Sequence, residues 1–185
     1  VQIDPAGLGR ETAINGVPVP GLVAAFRKAM QAPEHAQYLH WGATSQDIME
    51  TGQMLRMRQA LAILEGRIVG LARVLGRVAA DHAETPMAAR TYGQAAVPTS
   101  YGAVAAGWGA PLLRHLERLA EMRPRLLVVS LSGAAGTLSA MGEKGPEARA
   151  GLAAELGLGD PGASWHAQRD RIGELAGWLA GVLGS

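Results

Sequence analysis

His40, Thr44, Ser45, Asp47 and Glu50 fall within the twelve residues His40-Trp41-Gly42-Ala43-Thr44-Ser45-Gln46-Asp47-Ile48-Met49-Glu50-Thr51, just ahead of a long apolar-periodic run. A loop that enters a helix presents free backbone N–H groups and the positive end of the helix dipole, a setting that suits a carboxylate or phosphate. The hydroxyls of Thr44 and Ser45 can donate to the same anion, and the His40 imidazole can move a proton. Gly42 permits a tight backbone approach. Thr44, Ser45 and Asp47 are also N-cap types, so a plain capping turn accounts for the same residues without a ligand.

The elements that must position this stretch can be read from the periodicity. From Gly52 to Asp81, residues Met57, Leu61, Leu64, Ile68, Leu71, Leu75, Val78 and His82 recur in steps of four and three. That is a heptad seam, the pattern of a long helix packed at a shallow angle on another. Arg56, Arg58, Glu65, Arg67, Arg73 and Arg77 fall off the seam as solvated or inter-helix charges, and His82 closes it as a structural, helix-terminal histidine. Residues 1–20 are rich in Pro and Gly and read as loop and turn, followed by a helix with Leu22, Val23, Phe26 and Met30 on one face. Pro33 ends or interrupts that helix, and a short helix precedes His40.

Thr85-Pro86 breaks the long helix. Ala89 to Gly102 reads as a polar loop feeding a second long helix, with Thr99 or Ser100 as its N-cap and Tyr101, Ala105, Trp108, Leu112, Leu116 and Leu119 on one stripe. Pro111 predicts a kink or local break in that helix, and His115 reads as a packing or surface residue. Leu126 to Val129 reads as a buried helical segment, and Ser130 to Leu138 as a small-residue run that permits close approach. A turn at 142–145, a short helix from Glu147 to Leu156 and a loop at 157–162 follow. Ser164 to Arg171 then leads into a last helix with Ile172, Leu175, Leu179 and Val182 on its apolar face. Arg169 and Asp170 read as an ion pair near that helix start. The boundary between an N-terminal helical part, 1–86, and a bundle domain, 87–185, is set at the break near Pro86.

Three of these stretches resemble the fumarase/aspartase superfamily. His40 to Gly52 is similar to its first signature, most like bacterial 3-carboxy-cis,cis-muconate cycloisomerases, with adenylosuccinate lyases next. Arg90, Thr91, Gln94, Pro98 and Thr99 match the second signature. Trp165-His166-x-Gln168-Arg169-Asp170-Arg171 resembles the cycloisomerases, and Ser132 to Thr137 the Gly-rich segment that both relatives carry. The chain departs from the pattern at Tyr92, where adenylosuccinate lyases have a histidine, and at Ala95, where cycloisomerases commonly have one. A phenol is a poor acid–base group near neutrality, which leaves His40, His166 or an inactive relative as alternatives. The third family signature, a mobile loop with a catalytic serine and lysine, is absent. With 185 residues against roughly twice that in the family, the chain reads as a fragment.

The resemblance implies an all-α, long-helix bundle of the fumarase/aspartase type. It implies cyclisation of 3-carboxy-cis,cis-muconate to a lactone in aromatic degradation, without redox or metal cofactor. It also implies a homotetramer with active sites shared between subunits. His40 and Tyr92 are the candidate catalytic residues, and Thr44, Ser45, Thr91, Gln94, His166 and Gln168 the candidate substrate binders. The rivals are a fumarate-releasing lyase and a non-catalytic helical assembly relative. A net charge of +1 gives no argument for nucleic acid or a membrane surface. Absence of cysteine fits a reducing cytoplasm. One Phe and three Tyr beside abundant Ala, Gly and Leu favour close-packed helices over a sandwich or barrel.

Overall fold

The computed structural model describes residues 2–185. Helices dominate: α1 (Gly9–Asn15), α2 (Val19–Ala29), α3 (Pro33–Ala36), α4 (Ser45–Asp81), α5 (Tyr101–Leu126), α6 (Gly145–Leu156) and α7 (Asp170–Gly184). Short 3-10 turns cover Pro5–Leu8 and Ser139–Lys144. Two strands, β1 (Pro86–Thr91) and β2 (Gln94–Ser100), pair antiparallel. The chain divides into two compact units, each built from two separated stretches. One holds residues up to Met57 and Leu127–Arg169, the other Arg58–Leu126 and Asp170–Ser185. α4 gives its first turns to the first unit and the rest to the second, and the expected cut at 86/87 falls inside the second.

In the first unit, Val19, Met54, Val129 and Trp165 are almost inaccessible and form the core. Residues 2–20 hold more regular structure than their Pro and Gly content suggests. Asp4 accepts the Ala6 N–H and caps the first 3-10 turn, and Gly16 at φ 72 ends α1. α2 carries Arg27 and Lys28 in its last turn, where cations suit the dipole, and Arg27 Nη2 reaches the Leu39 carbonyl at 2.8 Å. That bond ties α2 to the residue before His40.

The expected helical segment at Leu126–Val129 is corrected. α5 stops at Leu126, and the next residues run extended, in a parallel bridge between Val128 and Gly159. Val129 N–H donates to Gly159 O at 2.9 Å, and Gly159 N–H to Leu127 O at 2.8 Å. Pro124 sits in the last turn of α5, and two β-branched valines follow, so leaving the helix for a buried bridge costs little.

In the second unit, Leu61, Ile68, Ala105, Leu112, Leu119, Met122, Leu175 and Trp178 are buried. The heptad seam of α4 is thus closed at Leu61 and Ile68, yet Leu71 stays 51% exposed. Pro111 is accommodated inside the continuous helix α5. His115 is buried and its carbonyl accepts the Trp178 indole N–H at 2.9 Å, so it is a packing residue. His82 bonds Thr85 Oγ1 through Nδ1 at 3.1 Å and meets the Tyr101 ring edge-on, as expected of a helix-terminal histidine. Among the described residues no helix is long and apolar enough to cross a membrane.

Candidate active site

The site is built around the first two turns of α4. Asp47, Glu50 and Thr51 stand at i, i+3 and i+4, which puts all three on one helix face. All three are buried, Asp47 completely. A buried carboxylate is tolerated only when its lone pairs are filled. Asp47 meets that condition with fixed donors: Oδ2 accepts Thr44 N–H and Gly133 N–H at 3.0 Å each, and Oδ1 accepts Ser132 N–H at 2.9 Å. His166 Nε2 lies 2.8 Å and Ser130 Oγ 3.1 Å from the same Oδ1.

Glu50 closes the other side of the cluster. Its Oε1 takes Arg169 Nη2 at 2.7 Å and Gln46 Nε2 at 2.8 Å, and its Oε2 lies 3.1 Å from Ser130 Oγ. Gln46 also donates to the His166 carbonyl at 3.1 Å. Thr51 and Ser130 exchange two bonds, at 2.9 and 3.0 Å. The Trp165 indole N–H donates to Val129 O at 2.9 Å, which seats the 164–169 turn on the extended 128–133 segment. Gly133 has φ +72, and a Cβ there would stand 2.8 Å from Gly42 O. Only glycine lets the small-residue loop come this close to the loop before α4.

Thr44 and Ser45 occupy the helix start as expected. They are half-buried, and their hydroxyls make no hydrogen bond among the described residues. The anion at the helix N-terminus is partly the protein's own, because the Asp47 carboxylate takes the Thr44 N–H. His40 has φ +67, uncommon for a residue with a side chain. Its Nε2 is buried without a hydrogen-bond partner among the described residues. The residue lines an apolar cavity of about 120 Å³ with Leu22, Val23, Phe26, Leu39 and Ile48. His166 and Thr44 are anchored to one carboxylate, whereas the Gln168 side chain is exposed.

Arg169 does not pair with Asp170, as the sequence suggested; it pairs with Glu50 and lies 5.7 Å above the Trp165 ring. Glu50 is buried and unneutralised without it, whereas Asp170 is exposed at the start of α7, where a carboxylate already suits the dipole. The second signature belongs to the second unit, and it is a hairpin rather than the expected loop. Thr91 and Gln94 are register partners flanking the turn Tyr92-Gly93, whose φ values are +50 and +75. Two successive positive φ angles define the hairpin turn that follows the natural strand twist. Thr91, Tyr92 and Gln94 are exposed at this tip. Asp47, Glu50, Ser130, Trp165 and Arg169 are not among the candidate site residues named from the sequence, although the i, i+3, i+4 spacing of Asp47, Glu50 and Thr51 carries the signal.

Among the described residues, no group of three or more His, Cys, Asp or Glu could hold a metal ion. The carboxylate oxygens of Asp47 and Glu50 are committed to Arg169, Gln46, Ser130, His166 and backbone N–H groups.

The chain is similar to known enzymes along its whole length. It is 46% identical over 184 residues to a 3-carboxy-cis,cis-muconate cycloisomerase of Pseudomonas aeruginosa, covering 98% of this chain and 40% of that protein. A fumarate lyase structure from Mesorhizobium sp. BNC1 superposes with a TM-score of 0.94 at 42% identity, covering 100% of this chain and 43% of the other. A 3-carboxy-cis,cis-muconate lactonizing enzyme structure from Pseudomonas putida gives a TM-score of 0.88 at 42% identity, over 98% and 42% of the two chains. The chain therefore spans about two-fifths of the length of the relatives it matches. The sequence model of the lyase family matches residues 3–185, and with the fumarase/aspartase-type helical fold this chain belongs to that family.

Proposed function

We propose that the protein to which this chain belongs is a 3-carboxy-cis,cis-muconate cycloisomerase, and that the α4 N-terminal cluster is its carboxylate-handling site. One substrate carboxylate oxygen adds to a carbon of a conjugated double bond. The π electrons move to the neighbouring carbon and delocalise into another carboxylate. A proton delivered to that carbon completes the lactone, so atoms and charge balance. Donors aimed at the developing charge lower the barrier. The observation that carries this reading is the pair of uncommitted hydroxyls, Thr44 and Ser45, held at the start of a 37-residue helix by the Asp47 latch.

His40 is the proton-handling candidate of the first unit. A left-handed backbone and an orphaned buried nitrogen are each unfavourable, and such strain concentrates at functional positions. Tyr92, Thr91 and Gln94 form one exposed tip, and that exposure supports a site completed by other subunits of a homotetramer. Ile63, Leu71 and Trp108, each more than half exposed on the helices of the second unit, supply apolar surface for such an assembly.

The test is the complete protein mixed with 3-carboxy-cis,cis-muconate, read by loss of its ultraviolet absorbance, with adenylosuccinate as the competing substrate. Thr44→Ala with Ser45→Ala is expected to raise KM by roughly 10- to 100-fold, the effect of losing hydrogen bonds to a charged group. Unchanged affinity would remove the anion-site assignment. Absorbance unchanged by the wild-type protein would favour the non-catalytic relative, for which the replacement of the family histidines at Tyr92 and Ala95 speaks.

A further inference from the structure

We propose that Asp47 is a positioning residue for His166: it keeps Nε2 of the ring protonated, so that Nδ1 is the nitrogen that takes up and releases a proton. Asp47 Oδ1 lies 2.8 Å from His166 Nε2. The same carboxylate accepts three backbone N–H groups, from Thr44, Ser132 and Gly133. A carboxylate ringed by fixed donors is committed to accepting, and only a protonated Nε2 satisfies it. Ser130 Oγ, 3.0 Å from the same nitrogen, can donate or accept, so it follows the ring rather than setting it. With Nε2–H in place, the Ser130 hydroxyl donates its hydrogen bond to Asp47 Oδ1 or to Glu50 Oε2, both at 3.1 Å.

The charged groups that face the ring are Asp47, Glu50 at 3.9 Å and, through Glu50, Arg169. His166 Nδ1 makes no hydrogen bond among the described residues, and the side chain keeps 15% of its surface exposed. The geometry also argues against a Ser130–His166–Asp47 relay. Its hydroxyl and the carboxylate meet the same ring nitrogen, whereas a relay needs them on opposite nitrogens. The arrangement is the counterpart of a carboxylate that orients a metal-ligating histidine, one ring nitrogen held by the acid and the other left uncommitted. The inference deepens the proposed function, since the substrate carboxylate is what Nδ1 would meet.

The test uses the complete protein with 15N-labelled histidine rings, the His166 signals being assigned by their loss in His166→Gln. In the neutral ring, Nε2 is expected to carry the proton and Nδ1 to be bare. Asp47→Asn is expected to shift the neutral ring towards the Nδ1–H form, because the new amide can donate to Nε2. Ser130→Ala is expected to leave the wild-type pattern. A neutral wild-type ring protonated at Nδ1, or a tautomer set by Ser130→Ala, would each overturn the proposal. The wild-type spectrum decides even if Asp47→Asn does not fold. In turnover, Asp47→Asn and His166→Gln are each expected to lower kcat by about 10- to 100-fold with KM moving less, and the double variant to fall no further. Loss in the double variant equal to the product of the singles would separate the two residues and end the proposal. Nuclear resonance reads the tautomer without substrate, so failure of the cycloisomerase reading leaves this result distinguishable.

Discussion

Asp47 shows how a single buried acid organises a site. Its two oxygens collect partners from the loop before α4, the 130–133 segment and the 164–169 turn. None of the three backbone segments has enough regular structure to place itself, so the carboxylate fixes their meeting point. Trp165 does the complementary apolar work, fully buried with its indole N–H on Val129 O. Trp165→Phe is expected to cost about 1–3 kcal/mol by orphaning that carbonyl, measured as a lower urea midpoint. An unchanged midpoint would mean that packing alone seats the turn.

The hairpin is where local rules and function compete at the scale of an element. Its turn needs positive φ at both central residues, and Asn-Gly or Asp-Gly would satisfy that more cheaply than Tyr92-Gly93. Tyr92 in the left-handed region carries about 1 kcal/mol of strain at a fully exposed tip. Tyr92→Asn is expected to increase amide-exchange protection across β1 and β2 by that amount while lowering kcat of the complete protein. Greater protection with kcat unchanged would return Tyr92 to an ordinary turn position. The sequence reads as a loop here because Gly93, Pro98 and the run of small residues mask the alternation that marks a strand.

Two predictions belong to the whole molecule. Arg149, buried on α6, pairs with Asp160 at 2.6 Å in the first unit. Burial raises the Asp160 carboxyl, but the Gly162 N–H and the Arg149 guanidinium outweigh it and hold the group below the ordinary carboxylate range. A depressed folded value means the contribution is present above about pH 4 and is lost as pH falls through the folded value. Asp160→Asn is therefore expected to cost about 2 kcal/mol at pH 7 and to flatten the acid side of the stability curve, read by urea unfolding at pH 7 and pH 3. Equal losses at both pH values would assign the effect to packing. The second prediction concerns the proposed assembly: Ile63→Glu with Leu71→Glu places charges on exposed apolar positions of α4 and is expected to dissociate the homotetramer proposed for the complete protein, measured by sedimentation. A tetramer that survives would place the interface elsewhere.

The sequence by itself determined the helical class, the long α4, the helix-start position of Thr44 and Ser45, and the family, because periodicity and signature spacing are local properties of the chain. His82, His115 and the last helix were legible for the same reason. Which acid lies buried, which loop it holds and which arginine neutralises it were decided only by tertiary structure. Gly133 must close on Gly42, Val128 must bridge Gly159, and Arg169 must reach Glu50 across more than a hundred residues of chain. Such pairings follow from burial and desolvation, which depend on the packed surroundings rather than on neighbouring residues in the sequence.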